Sequence, residues 1–117
     1  MGVNVTVQSG NVVYDPELCK SPAGHDILNF RLAFDENRRN TRTGEWERHT
    51  GYVECTAHNA RALALSRIVH KGDTVVVSGK LDYKEWLTAD QERRDRLAIK
   101  VDEVDVIAHA RREGARA

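Results

Sequence analysis

Cysteine is nearly absent from this chain: Cys19 and Cys55 are the only two in 117 residues. That excludes a disulfide framework, and neither cysteine has metal-ligand spacing around it. Net charge is missing too, since 18 basic and 18 acidic residues leave a formal charge of +0. A protein that coats polyanions through general basicity is therefore excluded. Any positive charge serving a polyanion must be gathered on one face, with the acids elsewhere. No apolar run approaches the length of a membrane span. The opening MGVNVTVQ alternates polar and apolar residues and has no signal-peptide core. A soluble cytosolic protein is expected.

Catalytic signatures are also lacking. There is no Gly-rich phosphate loop, Gly-x-Ser-x-Gly elbow or His-Glu-x-x-His. His25, His49, His58, His70 and His109 are scattered, with no pair at metal-ligand spacing. Acids such as Asp102 and Asp105 read as solvated strand-end surface. Cys55 falls on an apolar strand face without a partnered base and reads as a small buried hydrophobe. No enzyme and no cofactor is implied. Aromatic residues are too sparse for the aromatic-rich strand of a cold-shock-like RNA-binding barrel.

What the chain does have is strand pattern. At this length it forms one domain, able to bury its apolar surface without metal or disulfide staples. Residues 3–14 begin with Val3, Val5 and Val7 alternating against Asn4, Thr6 and Gln8, a half-buried strand bent at Gly10 and closed by Asp15-Pro16-Glu17. Residues 18–26 read as a loop. Residues 27–36 form a second strand with Leu28, Phe30, Leu32 and Phe34 on one face. The charged stretch 36–48 reads as an exposed hairpin arm or loop carrying Arg38, Arg39, Arg42 and Arg48. A third strand runs from about Trp46 to His58, with Val53, Cys55 and Ala57 inward and Tyr52, Glu54, Thr56 and His58 outward. Asn59 is placed to cap a helix over 60–71, with Leu65, Ile68 and Val69 as its buried stripe. Lys71 and Gly72 end it.

The fourth strand, Thr74–Trp86, has two unlike faces. Val75, Val77, Gly79, Leu81 and Tyr83 can line a core. Lys80, Asp82, Lys84 and Trp86 share the other side, pairing cations that hold phosphates with an indole that stacks on a base. Read alone, the same lysines would equally suit an edge strand guarded against edge pairing. A last strand follows, with Leu97, Ile99 and Val101 inward and a break at Asp102-Glu103. Residues 109–117 form a short basic tail with no pattern, expected to fray. The order is β-β-β-α-β-β, the layout of an all-β, five-stranded Greek-key OB-fold barrel over residues 1–108, with one short helix between strands three and four.

Several stretches resemble bacterial single-stranded DNA-binding proteins. GVNVTVQSGNVVYDPEL is similar to that family's first strand, and Ala23-Gly24 followed by Leu28-Asn29-Phe30 to its second. Thr50–His58 resembles its third. His70–Leu81, with Trp86 beyond it, is similar to the family's most recognisable block. The resemblance covers about residues 2–107 and implies an OB-fold that binds single-stranded DNA without strong sequence preference. It also implies a homotetramer or dimer assembled through the first strand and neighbouring sheet surfaces. Carried onto this chain, it implies base stacking by Trp86 and Tyr52, with His58 as a weaker platform. Phosphate contacts fall to Arg31, Lys71, Lys80 and Lys84, to Arg38, Arg39, Arg42 and Arg48 of the arm, and to Arg93, Arg94 and Arg96 of the final hairpin.

The chain also departs from the family. Tyr52 stands where a Trp is usual, His58 where a Phe is, and Arg38 about where another Trp lies. Glu54 and Asp82 fall on the binding face, where they repel phosphate, so a weaker or more specialised binder is expected. An alternative is an OB-fold paralogue acting mainly as a protein-interaction subunit of a replication assembly. Relatives continue into a Gly/Pro/Gln-rich linker and an acidic tip that recruits replication and repair proteins. This sequence stops at Ala117 after a basic stretch, as a core domain or a phage, plasmid or paralogous form would.

Overall fold

The computed structural model describes residues 2–110. Along it run β1 (Thr6–Val12), β2 (Glu17–Lys20), β3 (Asp26–Arg39), β4 (Trp46–His58), α1 (Asn59–Ile68), β5 (Thr74–Leu87) and β6 (Arg93–Ala108). Neighbours follow the order β1-β5-β6-β4-β3-β2, and β1 also pairs with β3. Five strands thus close into a ring, with the short β2 laid against the start of β3. β4 and β6 meet in parallel, while β5 and β6 form a long antiparallel hairpin. This is the OB-fold barrel expected from the element order.

Closure depends on two glycines. β1 bonds to β5 from Thr6 to Asn11 and then to β3 at Asn11 and Val12, so Gly10 sits beside the change of partner. A Cβ on Gly10 would lie 2.6 Å from the Ala33 carbonyl oxygen. At Gly79 the approach is tighter, with a Cβ falling 2.1 Å from the Lys100 carbonyl oxygen. There β6 carries one extra residue, Asp102, between the partners of Ser78 and Gly79. The expected break at Asp102-Glu103 is therefore a bulge within one continuous strand, because pairing with β5 resumes on both sides of it.

The core lies inside this ring. Leu28, Phe30 and Leu32 of β3 meet Cys55 and Ala57 of β4, Val75 and Val77 of β5, and Ile99 and Val101 of β6. Ala62, Leu65 and Val69 close one end from the helix side. Burial pushes the Cys55 thiol up to about 12, so it stays protonated and unreactive near neutrality.

Several local expectations change. Val3, Val5 and Val7 are exposed, because they have the opposite parity to the buried Val12, with which the partly buried Thr6 and Gln8 alternate in phase. The loop 18–26 contains β2, whose Glu17–Lys20 backbone pairs with Asp26–Asn29. The charged arm is a two-stranded ribbon, since β3 and β4 stay paired out to Arg39 and Trp46. Leu81, Tyr83 and Leu97 are exposed rather than core. Beyond Gly79 the β5–β6 hairpin leaves the barrel, so its inner face has nothing to pack against.

The helix begins and ends differently too. Asn59 adopts a left-handed conformation with φ 57° as the chain turns out of β4, while His58 holds the cap position without a side-chain bond. α1 stops at Ile68, three residues before Lys71, and Ile68 is exposed while Ala62 takes its place in the buried stripe. The fully buried Asp73 carboxylate captures the next backbone: the His70 N–H donates to Oδ2 at 2.9 Å and the Ala110 N–H to Oδ1 at 2.8 Å. One side chain thus ties the helix exit to the end of β6. The tail expected to fray from residue 109 is anchored at Ala110, and its residues 111–117 lie outside the described residues.

If close approach at Gly79 is what the barrel requires, Gly79→Ala should cost about 3 kcal/mol or abolish folding. Gly24→Ala, at φ 87° but with open space around it, should cost only about 1–2 kcal/mol. Urea denaturation of the two variants measures both, and equal losses would refute the requirement.

Candidate nucleic-acid interface

Residue parity maps the surface, because side chains alternate across a strand. Even-numbered residues of β4, from Trp46 to His58, stand opposite odd-numbered residues of β3, from Arg39 to Ile27. Glu54 and Thr56 of β4 lie beside Ala98 and Lys100 of β6. Across β6, Lys100, Ala98, Arg96 and Arg94 oppose Lys80, Asp82, Lys84 and Trp86 of β5. At the barrel end, burial of Cys55, Ala57, Val75, Val77, Ile99 and Val101 fixes this parity as the outer one, and the same alternation continues along the arm and the hairpin. One continuous face therefore crosses four strands, from the arm to the tip of the β5–β6 hairpin.

That face brings together most of the residues expected from sequence. Trp86, Tyr52 and His58 lie on it, as do Arg31, Arg39, Arg48, Lys80, Lys84, Arg94 and Arg96. The others fall elsewhere. Arg38 is on the reverse side of the ribbon, opposite Glu47 and ion-paired with Glu36. Arg93 is on the reverse side of the hairpin, with Nε 3.2 Å from Glu85 Oε2. Arg42 lies in the ribbon's turn. Lys71 sits in the turn after α1, where its N–H donates to Asp15 Oδ1 at 2.9 Å.

Two residues on the face escaped the sequence reading. Trp46, 70% exposed, shares the outward alternation of Tyr52 and His58. The parity that placed Tyr52 would have found it. Lys100 lies directly across from Lys80, and only strand register makes them neighbours. Like charges placed opposite each other in a sheet repel, and a phosphate between them would relieve that repulsion. Lys100 also acts on His58, whose imidazole is held below its ordinary range first by partial burial and then by Lys100 and Lys84. His58 is therefore neutral at pH 7.

The acids on the face are engaged with cations of the same face. Arg31 Nε lies 2.6 Å from Glu54 Oε2, and its guanidinium sits 5.4 Å from the centre of the Tyr52 ring. Glu54 thereby holds Arg31 over Tyr52, and a base reaching Tyr52 must stack on Arg31 or displace it. The Tyr14 hydroxyl stands 3.5 Å from the other Glu54 oxygen, and its pKa is raised by burial and by Glu54. Asp35 accepts from Thr50 at 2.9 Å and from Arg48 at 2.7 Å, and these bonds hold its carboxyl below the usual range. Asp82 lies 3.7 Å from Lys84. Between the two halves of the face is a cleft of about 170 Å³, with Asn29, Thr56 and His58 on one wall and Asp82, Lys84 and Arg96 on the other.

Comparison with known proteins identifies the family. The model of the single-strand binding protein family matches residues 3–107. The single-stranded DNA-binding protein of Borreliella burgdorferi is 33% identical over 107 residues, which cover 91% of this chain and 70% of that protein. Its counterpart from Corynebacterium glutamicum is 32% identical, covering 86% of this chain and 45% of that protein. The Mycobacterium tuberculosis protein is 30% identical, covering 81% and 58%. The chain thus spans about half the length of the last two. Among solved structures, a Plasmodium falciparum SSB complex with ssDNA superimposes with a TM-score of 0.80 at 22% identity, covering 93% of this chain and 97% of that one. That likeness shows the barrel, and the matched residues 3–107 span every strand that builds the face. This chain belongs to the single-strand binding protein family.

Proposed function

We propose that this protein binds single-stranded DNA across the outer face of β3–β6, protecting it during replication, recombination or repair. The supporting observation is the joint placement of three exposed aromatics, Trp46, Tyr52 and Trp86, with the facing pair Lys80 and Lys100 on one continuous sheet. Flat rings offer stacking surfaces to bases of any identity, and each stack contributes roughly 1–3 kcal/mol. Lysines flanking them neutralise the backbone and make binding salt-dependent. Ion pairing of Arg31, Arg48 and Lys84 with Glu54, Asp35 and Asp82 means that a phosphate must compete with a carboxylate at these positions. Binding is thus weaker than the count of cations suggests. Exposed rings beside unopposed lysines favour DNA over a purely protein-interaction role, in which aromatic anchors would be ringed by apolar neighbours.

Titration with fluorescent oligo-dT at two salt concentrations tests the reading. Trp86→Ala should weaken binding about tenfold with an unchanged salt slope, whereas Lys80→Ala should weaken it less and flatten the slope by about one unit. Absence of binding at low salt would refute it. His58 supplies a second test. Its folded pKa lies below 6.5, so it is neutral at pH 7 and gains positive charge only as the pH falls through that lowered value. Affinity should therefore rise toward pH 5.5 more in the parent than in His58→Gln, and the two should run parallel above neutrality. Parallel curves throughout would remove His58 from the interface.

The protein also assembles, in this proposal, as a homo-oligomer through β1. Val7 on its outward face and Val3 and Val5 just before it are exposed, and a second copy laid alongside would bury them. Light scattering should give a mass at least twice the 13.2 kDa of one chain, and Val5→Asp should reduce it. A parent that is already monomeric would refute this assembly.

A further inference from the structure

Asp82 is the residue least suited to a face that holds phosphates, and its place in the cleft gives it another use. The cleft's volume of about 170 Å³ is close to the roughly 150 Å³ that takes one six-membered ring. Ile27 and Ala98 contribute apolar surface, and the neutral His58 ring supplies a flat wall. Two of its polar groups are already occupied with each other: the Thr56 hydroxyl donates to Asn29 Oδ1 at 3.1 Å. Lys84 lies 3.7 Å from Asp82 and Arg96 donates to the Thr56 hydroxyl at 3.5 Å, but each of the three keeps further bonding capacity. Recognition therefore falls to the Asp82 carboxylate, which only accepts, and to Lys84 and Arg96, which only donate.

We propose, building on the DNA-binding reading, that this cleft receives one base of the bound strand and selects cytosine. Bases of a single strand can be splayed out and read on their Watson–Crick edges. Cytosine presents an N4 amine, the group that a carboxylate accepts from, followed by the N3 and O2 acceptors. Asp82 takes the amine, and Lys84 and Arg96 take the acceptors. Thymine has the same size but turns its O4 acceptor toward Asp82. That sets two lone-pair groups against each other in a partly desolvated site, and the carboxylate gains no donor beyond Lys84, which is how polar pockets reject near-isosteres. The wider face remains indifferent to sequence, because stacking and phosphate contacts do not read base edges. On this account Asp82 costs some general affinity and adds selection at one position of the bound segment.

The test compares oligo-dC and oligo-dT of equal length, above neutrality so that cytosine N3 is unprotonated, following tryptophan fluorescence of the full chain. The parent should bind oligo-dC about five- to tenfold more tightly, the gain expected from one well-matched base contact. In Asp82→Ala the affinity for oligo-dT should rise and the preference should vanish, with circular dichroism confirming an intact barrel. Equal affinity for the two oligomers in the parent would overturn the cytosine cleft while leaving DNA binding intact. So would a dC preference that survives Asp82→Ala. If Asp82 only repels phosphate, the substitution strengthens both complexes equally and the parent shows no preference. Failure to bind either oligomer would instead refute the underlying DNA-binding reading, and the cleft proposal with it.

Discussion

At Gly10 and Gly79 one backbone lies so close to a neighbouring carbonyl that no side chain fits between them. Everything else in the molecule depends on those two approaches. Gly10 lets β1 leave β5 and join β3, which closes the ring. Gly79 and the Asp102 bulge bend the β5–β6 hairpin at the barrel wall, so that its barrel half seals the core and its outer half projects. A flat sheet of the same strands would have two open edges and no enclosed core.

Closure also sorts the side chains. Once the odd-numbered residues at the barrel end of β4 and β5 are committed to the core, the even-numbered ones have only one direction left. Trp46, Tyr52 and His58 on β4 then line up with Lys80, Lys84 and Trp86 on β5 across Arg94, Arg96 and Lys100 of β6. A chain of zero net charge thereby gathers cations on one face without becoming basic overall. The acids on that face are held against arginines and lysine, which limits both their repulsion and the cations' freedom.

Much of this was legible in the sequence because it obeys a local rule. Alternation gave the inner residues of β3 and β4 and set Tyr52 and His58 outward, and the glycine at 10 marked a bend. Arg38 and Arg93 fall on the reverse sides for a common reason: composition says a segment is basic, but only backbone pairing says which side each residue takes. Trp46 was missed although the strand read from the sequence began at it and the rule that found Tyr52 applies to it equally. Val3, Val5 and Val7 show the reverse failure, a clean alternation whose apolar side points away from the core.

By itself the sequence determined the five barrel strands, the helix between β4 and β5, and the pairing of lysines and Trp86 on one side of a single strand. These depend on residues a few positions apart, whose spacing fixes their direction. The tertiary structure alone decided that Lys100 faces Lys80, that Glu54 holds Arg31 over Tyr52, and that Asp73 ties the helix exit to Ala110. Those contacts join residues far apart in the chain, and a register shift of one residue would break each of them.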